Sequence, residues 1–158
     1  MRGLPLLIVM AACSSTPANV GGNYTVAVTN RDNGCNLMNW TVGNSATNIG
    51  VTVTQNGTQA VASVNGLVGG YLDVVLGAHD FTGTVDGDHL SLTLFGTRTS
   101  NSGNCTWTYN ADLEAELNGD ILTGTIDYRP KTNGNPDCTE MQNTCSSRQD
   151  FNGTRPPT

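Results

Sequence analysis

Three stretches of the chain share one design, an alternating segment, a glycine-containing dipeptide and a second alternating segment: GVTVTQNGTQAVASV, FTGTVDGDHLSLTLF and DLEAELNGDILTGTI. Alternation with a period of two suits a half-buried strand, because successive side chains point to opposite faces of a sheet. Asn56-Gly57, Asp86-Gly87 and Asn118-Gly119 accept the positive φ angles of a two-residue type I′ turn, so each predicts a hairpin with a defined register. In the third hairpin Ala115 falls opposite Leu122, Leu113 opposite Gly124, Ala111 opposite Ile126 and Tyr109 opposite Tyr128, all on one face. Asp112, Glu114, Glu116, Thr123, Thr125 and Asp127 take the other face. The second hairpin pairs Phe81 with Leu92 and Gly83 with Leu90 inward and leaves Thr84 and His89 outward. The first sets Ile49, Val51 and Val53 against Val64, Ala62 and Ala60. Each register separates an apolar inside from a polar outside.

NYTVAVT, NLMNWTV and GYLDVVL read as further strands, about nine in all, and RQDFNG offers one more. A chain of 158 residues, less a short leader, has room for one core. Nineteen Gly, many Thr and Asn and very little Lys disfavour long helices, and the short connections forbid parallel crossovers. The expected fold is all-β, an up-and-down antiparallel β-barrel of about 8–10 strands stapled by disulfides, with a β-sandwich as the alternative. Such a meander is similar in architecture to lipocalin-like and avidin-like barrels.

Ahead of the strands, Arg2, the apolar stretch Leu4 to Met10 and the small pair Ala11-Ala12 lead directly into Cys13 and the polar run SSTPANVGG. That order is the one a secretory leader uses. Small residues immediately before a Cys resemble the lipobox of bacterial lipoproteins. The resemblance implies a signal peptide over residues 1–12, lipidation (diacyl, palmitate-type) of Cys13, a flexible tether over 13–22 and a single barrel domain over 23–158. It also implies a place in the bacterial cell envelope, on the extracytoplasmic side of a membrane that is the outer one in a Gram-negative cell. With Cys13 assigned to lipid, four of the five cysteines remain, Cys35, Cys105, Cys138 and Cys145, an even set suited to two disulfides in an oxidising compartment. No pair has the close spacing of a zinc site, so no metal is expected. The Asn-x-Thr triplets at Asn23, Asn39, Asn56, Asn104 and Asn152 are read as turn chemistry.

With the first strand taken as upward, the loops at 30–36, 77–78, 97–104 and 130–147 fall at the top, and all four cysteines lie in or beside them. Cys105 begins the strand that pairs with the segment leaving at Arg129, which brings Cys138 near it. A last strand that closed the barrel beside the first would bring Cys145 to Cys35. Cys105–Cys138 with Cys35–Cys145 is therefore the first choice, and Cys138–Cys145 with Cys35–Cys105 a close second.

The formal charge of −6, without a cluster of Lys or Arg, argues against nucleic acid as a partner. No G-x-S-x-G elbow or H-E-x-x-H helix occurs, and the Asp112, Glu114, Glu116 row reads as a solvated strand face, so neither catalysis nor a cofactor is expected. What remains is the barrel mouth. His79, Trp107, Tyr109 and Tyr128 are expected to point inward near the top, with Arg98 on the rim, where aromatic walls and a few polar groups suit a small, partly apolar ligand. The inward row of Ala60, Ala62, Gly83, Ala111, Ala115 and Gly124 either leaves a cavity or lets a narrow barrel close. In the second case the chain would be a structural envelope lipoprotein with a filled core and a protein partner.

Overall fold

The computed structural model describes residues 16–139 and 145–156. Cys13 and the leader lie outside the described residues. The strands are β1 (Gly22–Asn33), β2 (Ser45–Asn56), β3 (Gln59–Val64), β4 (Asp80–Asp86), β5 (His89–Leu94), β6 (Ser100–Ser102), β7 (Cys105–Asn118), β8 (Ile121–Thr132) and β9 (Ser147–Thr154), with one α-helix among the described residues, α1 (Gly66–Val75), between β3 and β4, and a 3-10 turn at Pro136–Cys138. Each barrel strand pairs antiparallel with its neighbours in sequence, β5 joins β7, and β9 closes onto β1. The result is a closed, eight-stranded up-and-down barrel, with β6 as an extra strand against the upper end of β7. Closure removes the edges an open sheet would expose.

All three hairpins form at the foot of the barrel, but their turns sit one residue later than a type I′ turn on the dipeptide requires. Asn56 pairs with Gln59, Asp86 with His89 and Asn118 with Ile121, leaving Gly57-Thr58, Gly87-Asp88 and Gly119-Asp120 as the two-residue turns. Gly57, Gly87 and Gly119 have φ near 60°, and none of the residues that follow them is at positive φ. Glycine at the first central position is the type II′ arrangement, in which the Asn or Asp before it stays in the strand. Every partner therefore moves by two residues: Ala115 faces Gly124, Leu113 faces Ile126, Gly83 faces Leu92 and Val53 faces Ala62. A two-residue shift preserves which side chains face inward. Ala111, Leu113, Ala115, Leu90, Leu92 and Phe81 are buried, whereas Glu114, Glu116 and Thr123 are exposed.

Two expected strands are absent. NLMNWTV is the β1–β2 loop, where Asn36 and Asn39 adopt left-handed φ of 51° and 58°, outside the extended range of a regular strand. GYLDVVL lies in α1 and its C-cap, because Val68, Leu72 and Leu76 recur at the helical spacing and pack on the core together. Gly77, at φ 83° just past the end of α1, permits the reversal into β4. A bulge between Val26 and Val28 of β1 places an extra residue in β2 near Asn48, at φ 60°, and bends that strand.

The lower end is sealed by residues 18–21, which the sequence reading assigns to the tether. Val20 is fully buried, its N–H donates to Gln55 Oε1 (2.8 Å), and its carbonyl accepts from the Tyr24 hydroxyl (2.9 Å). Arg155 straps this segment by donating to the carbonyls of Asn19 and Gly21 while pairing with Asp120 at 3.0 Å. The upper end carries both disulfides, Cys35–Cys145 and Cys105–Cys138, the pairing placed first on sequence grounds.

Candidate functional site

The barrel is hollow. A cavity of about 740 Å³ runs from Tyr24, Val53, Leu90 and Leu122 near the floor to Leu37, Met38 and Trp40 of the β1–β2 loop at the mouth. Its walls are formed by inward side chains of all eight barrel strands, β1–β5 and β7–β9, and its roof by Val68, Tyr71, Leu72 and Val75 of α1. This volume is in the range that takes a drug-sized molecule.

The roof is α1 because a helix of ten residues can cross the mouth and satisfy its own backbone while turning an apolar face downward. Its C-terminal end is fixed on the far side, where the Leu76 carbonyl accepts from the backbone N–H groups of Thr97 (2.7 Å) and Arg98 (3.0 Å). Its N-terminal end is fixed through Asn65, whose N–H donates to Gly50 O at 2.8 Å. Several apolar side chains around the mouth remain exposed, among them Leu67 and Val74 of α1 and Met38 of the facing loop.

Within the apolar lining one polar strip stands out. The Tyr128 hydroxyl donates to Gln149 Oε1 (2.9 Å), and Gln149 Nε2 donates to Asn30 Oδ1 (2.8 Å). These residues come from the upper parts of β8, β9 and β1, three adjacent strands, and all three line the cavity. Trp40 closes over them, its ring edge-on to Tyr128 with centroids 5.9 Å apart and its indole N–H donating to Arg31 O at 2.9 Å. Burial pushes the phenols of both Tyr128 and Tyr109 above the ordinary tyrosine range, because the phenolate would lose its hydration.

Of the residues singled out in the sequence, Tyr109 and Tyr128 line the cavity. His79, Trp107 and Arg98 do not. His79 precedes β4 and turns to α1, where Nδ1 lies 2.8 Å from Asp73 Oδ1; this hydrogen bond holds its imidazole above the usual histidine pKa. Trp107 lies above the point where β5 closes on β7, since the uppermost barrel pair there is Leu94 with Ala111, and it pairs instead with Ser100 of β6. Arg98 is exposed on the β5–β6 connection. Trp40, Gln149, Asn30 and the α1 side chains are the lining residues the sequence reading missed. The signals for Trp40 and α1 were the asparagines at 36 and 39 ahead of Trp40 and the i, i+4 spacing of Val68 and Leu72.

No family model matches the chain, and neither a curated protein nor a solved structure does.

Proposed function

We propose that the chain is a lipid-anchored lipoprotein of the bacterial cell envelope whose barrel binds a small, partly apolar ligand and carries out no catalysis. The observation that carries the binding reading is the roofed cavity of about 740 Å³ with its apolar walls. Two disulfides at the upper end fit an oxidising, extracytoplasmic compartment. The outward faces of the strands bear Glu114, Glu116, Asp112 and Asp127, the pattern of a barrel surrounded by water rather than one spanning lipid. No helix among the described residues is long and apolar enough to cross a membrane. Ala18 reaches the foot of the barrel, where its N–H bonds Gly87 O, so a lipid on Cys13 would tether the floor and leave the mouth facing outward.

Cys13→Ser tests the anchor. Losing acyl chains, each worth ~0.8 kcal/mol per buried CH₂, is expected to move the protein from the membrane to the soluble fraction. A wild-type protein that is already soluble and carries no lipid mass at Cys13 would contradict it. Native mass spectrometry of the detergent-free protein tests the ligand, with an added small-molecule mass expected. A second reading, a docking role for an envelope protein, is favoured by the exposed Leu67, Val74 and Met38 around the mouth. Capture of one envelope protein by wild type, lost in Leu67→Asp, together with a ligand-free cavity, would select it.

A further inference from the structure

The chemistry of the cavity wall narrows the ligand class. Among the described residues that line the cavity there is no Asp, Glu, Lys, Arg or His. A carboxylate, phosphate or ammonium buried there would meet no opposite charge, and transferring an unpaired ion into such surroundings is strongly unfavourable. A purely aliphatic molecule, in turn, would leave the polar strip of Asn30, Gln149 and Tyr128 without use. In that strip the Tyr128 O–H is already donated to Gln149, so its oxygen is left with lone pairs, while Gln149 Nε2 spends one of its two N–H groups on Asn30. One acceptor and one donor therefore stand side by side near the upper end of a largely apolar chamber, whose other polar lining residues are Tyr24, with its hydroxyl donated to Val20 O, and Asn39, Tyr71, Ser100 and Tyr109.

Resting on the ligand-binding reading above, we infer that the barrel selects an uncharged amphiphile: an aliphatic body directed toward the floor and a single neutral hydroxyl or carbonyl head at Gln149 and Tyr128. A hydroxyl fits both groups, accepting from Gln149 Nε2 and donating to the Tyr128 oxygen. A carbonyl uses the Gln149 donor alone. Trp40, edge-on to Tyr128, covers the head from the mouth side.

The chain has two tryptophans, so in Trp107→Phe the emission reports on Trp40 alone. This variant is titrated at neutral pH with 1-decanol, decanoate and decyltrimethylammonium, which share a chain and differ in head-group charge. Saturable one-to-one binding of 1-decanol is expected, with decanoate and decyltrimethylammonium weaker by about tenfold or more. Gln149→Leu is expected to weaken 1-decanol several-fold and leave n-decane unaffected; Tyr128→Phe, which keeps the ring, serves the same purpose if Gln149→Leu does not fold. Binding of either charged amphiphile as tight as that of the alcohol overturns the inference and leaves the ligand-binding reading standing, as does a 1-decanol affinity indifferent to both substitutions. Failure of all the compounds to bind overturns the ligand-binding reading itself.

Discussion

Small inward residues play two opposite parts in this barrel. A Cβ on Gly124 would strike the backbone of Glu114 and Ala115, and one on Gly83 the backbone of Ser91 and Leu92, so these glycines let neighbouring strands approach as the sheet curls shut. Ala62, by contrast, is buried but borders the cavity. Gly124→Ala is therefore expected to lower stability by about 1–3 kcal/mol, as an overpacked site does, whereas Ala62→Val should leave it unchanged or raise it by up to about 1 kcal/mol. Urea unfolding of the two variants distinguishes them, and equal losses would show that no free space adjoins Ala62. The sequence places both residues on the inward face but cannot tell a side chain kept small by a nearby backbone from one that borders empty space, since that depends on strand separation rather than on pattern. The hairpin registers were legible for a similar reason and to the same degree. Glycine marks each turn, yet it fits the second central position of a type I′ turn and the first of a type II′ turn, and both suit the twist of the flanking strands, so faces were readable and partners were displaced by two.

At the level of elements, the long alternating strands announced themselves and the mouth did not. NLMNWTV alternates well enough to read as a strand, but its two asparagines tolerate the left-handed conformation and turn it into the loop that carries Trp40. GYLDVVL is short enough that period two and period 3.6 compete, and packing of Val68, Leu72 and Leu76 onto the barrel settles the matter in favour of α1. The helix is held near its C-terminal end by the contact of His79 with Asp73, with Asp80 Oδ1 a further 3.7 Å from Nε2. Both carboxylates favour the imidazolium, led by the Asp73 hydrogen bond, so the folded-state pKa of His79 is raised. The contribution is complete below the ordinary histidine value near 6.5 and is lost as pH rises through the higher, folded one. Exchange of a bound probe past α1 should accordingly quicken as pH rises through that interval. Asp73→Asn should quicken it by about two- to fivefold at low pH and remove most of the pH dependence, measured by stopped-flow displacement. An unchanged profile in Asp73→Asn would show that α1 does not gate the cavity.

For the molecule as a whole, closure rests on β9, which lies between β8 and β1 and is tied at its start by Cys35–Cys145, a link spanning 110 residues of sequence. Cys105–Cys138 spans 33 and holds the β8–β9 connection to the top of β7. In the chain-entropy model loops of these lengths stabilise by about 5 and about 4 kcal/mol, so Cys35→Ser with Cys145→Ser should cost more than Cys105→Ser with Cys138→Ser. The reverse order in urea unfolding would mean that the closing strand is held chiefly by other contacts, such as the facing pair Asp127 and Arg148, with oxygens and nitrogens 2.6–2.9 Å apart. This end-to-end closure was the first choice before the structure, because a last strand laid beside the first brings Cys145 to Cys35, but with all four cysteines at one end of the meander the pairing of Cys138 with Cys145 stood close behind it. The hollow interior was not legible, since cavity volume depends on how strand tilt and inward side-chain size combine around the whole barrel. It is also the feature on which the proposed function turns. The most direct test is a titration with N-phenyl-1-naphthylamine, a neutral dye that brightens in apolar surroundings, on wild type and on the cavity-filling variants Ala62→Phe and Val51→Phe. A hollow, ligand-binding barrel gives a saturable one-to-one rise in emission that weakens by about tenfold or more in whichever variants retain the wild-type fold; no saturable rise in wild type, or an affinity untouched by filling the cavity, would contradict it.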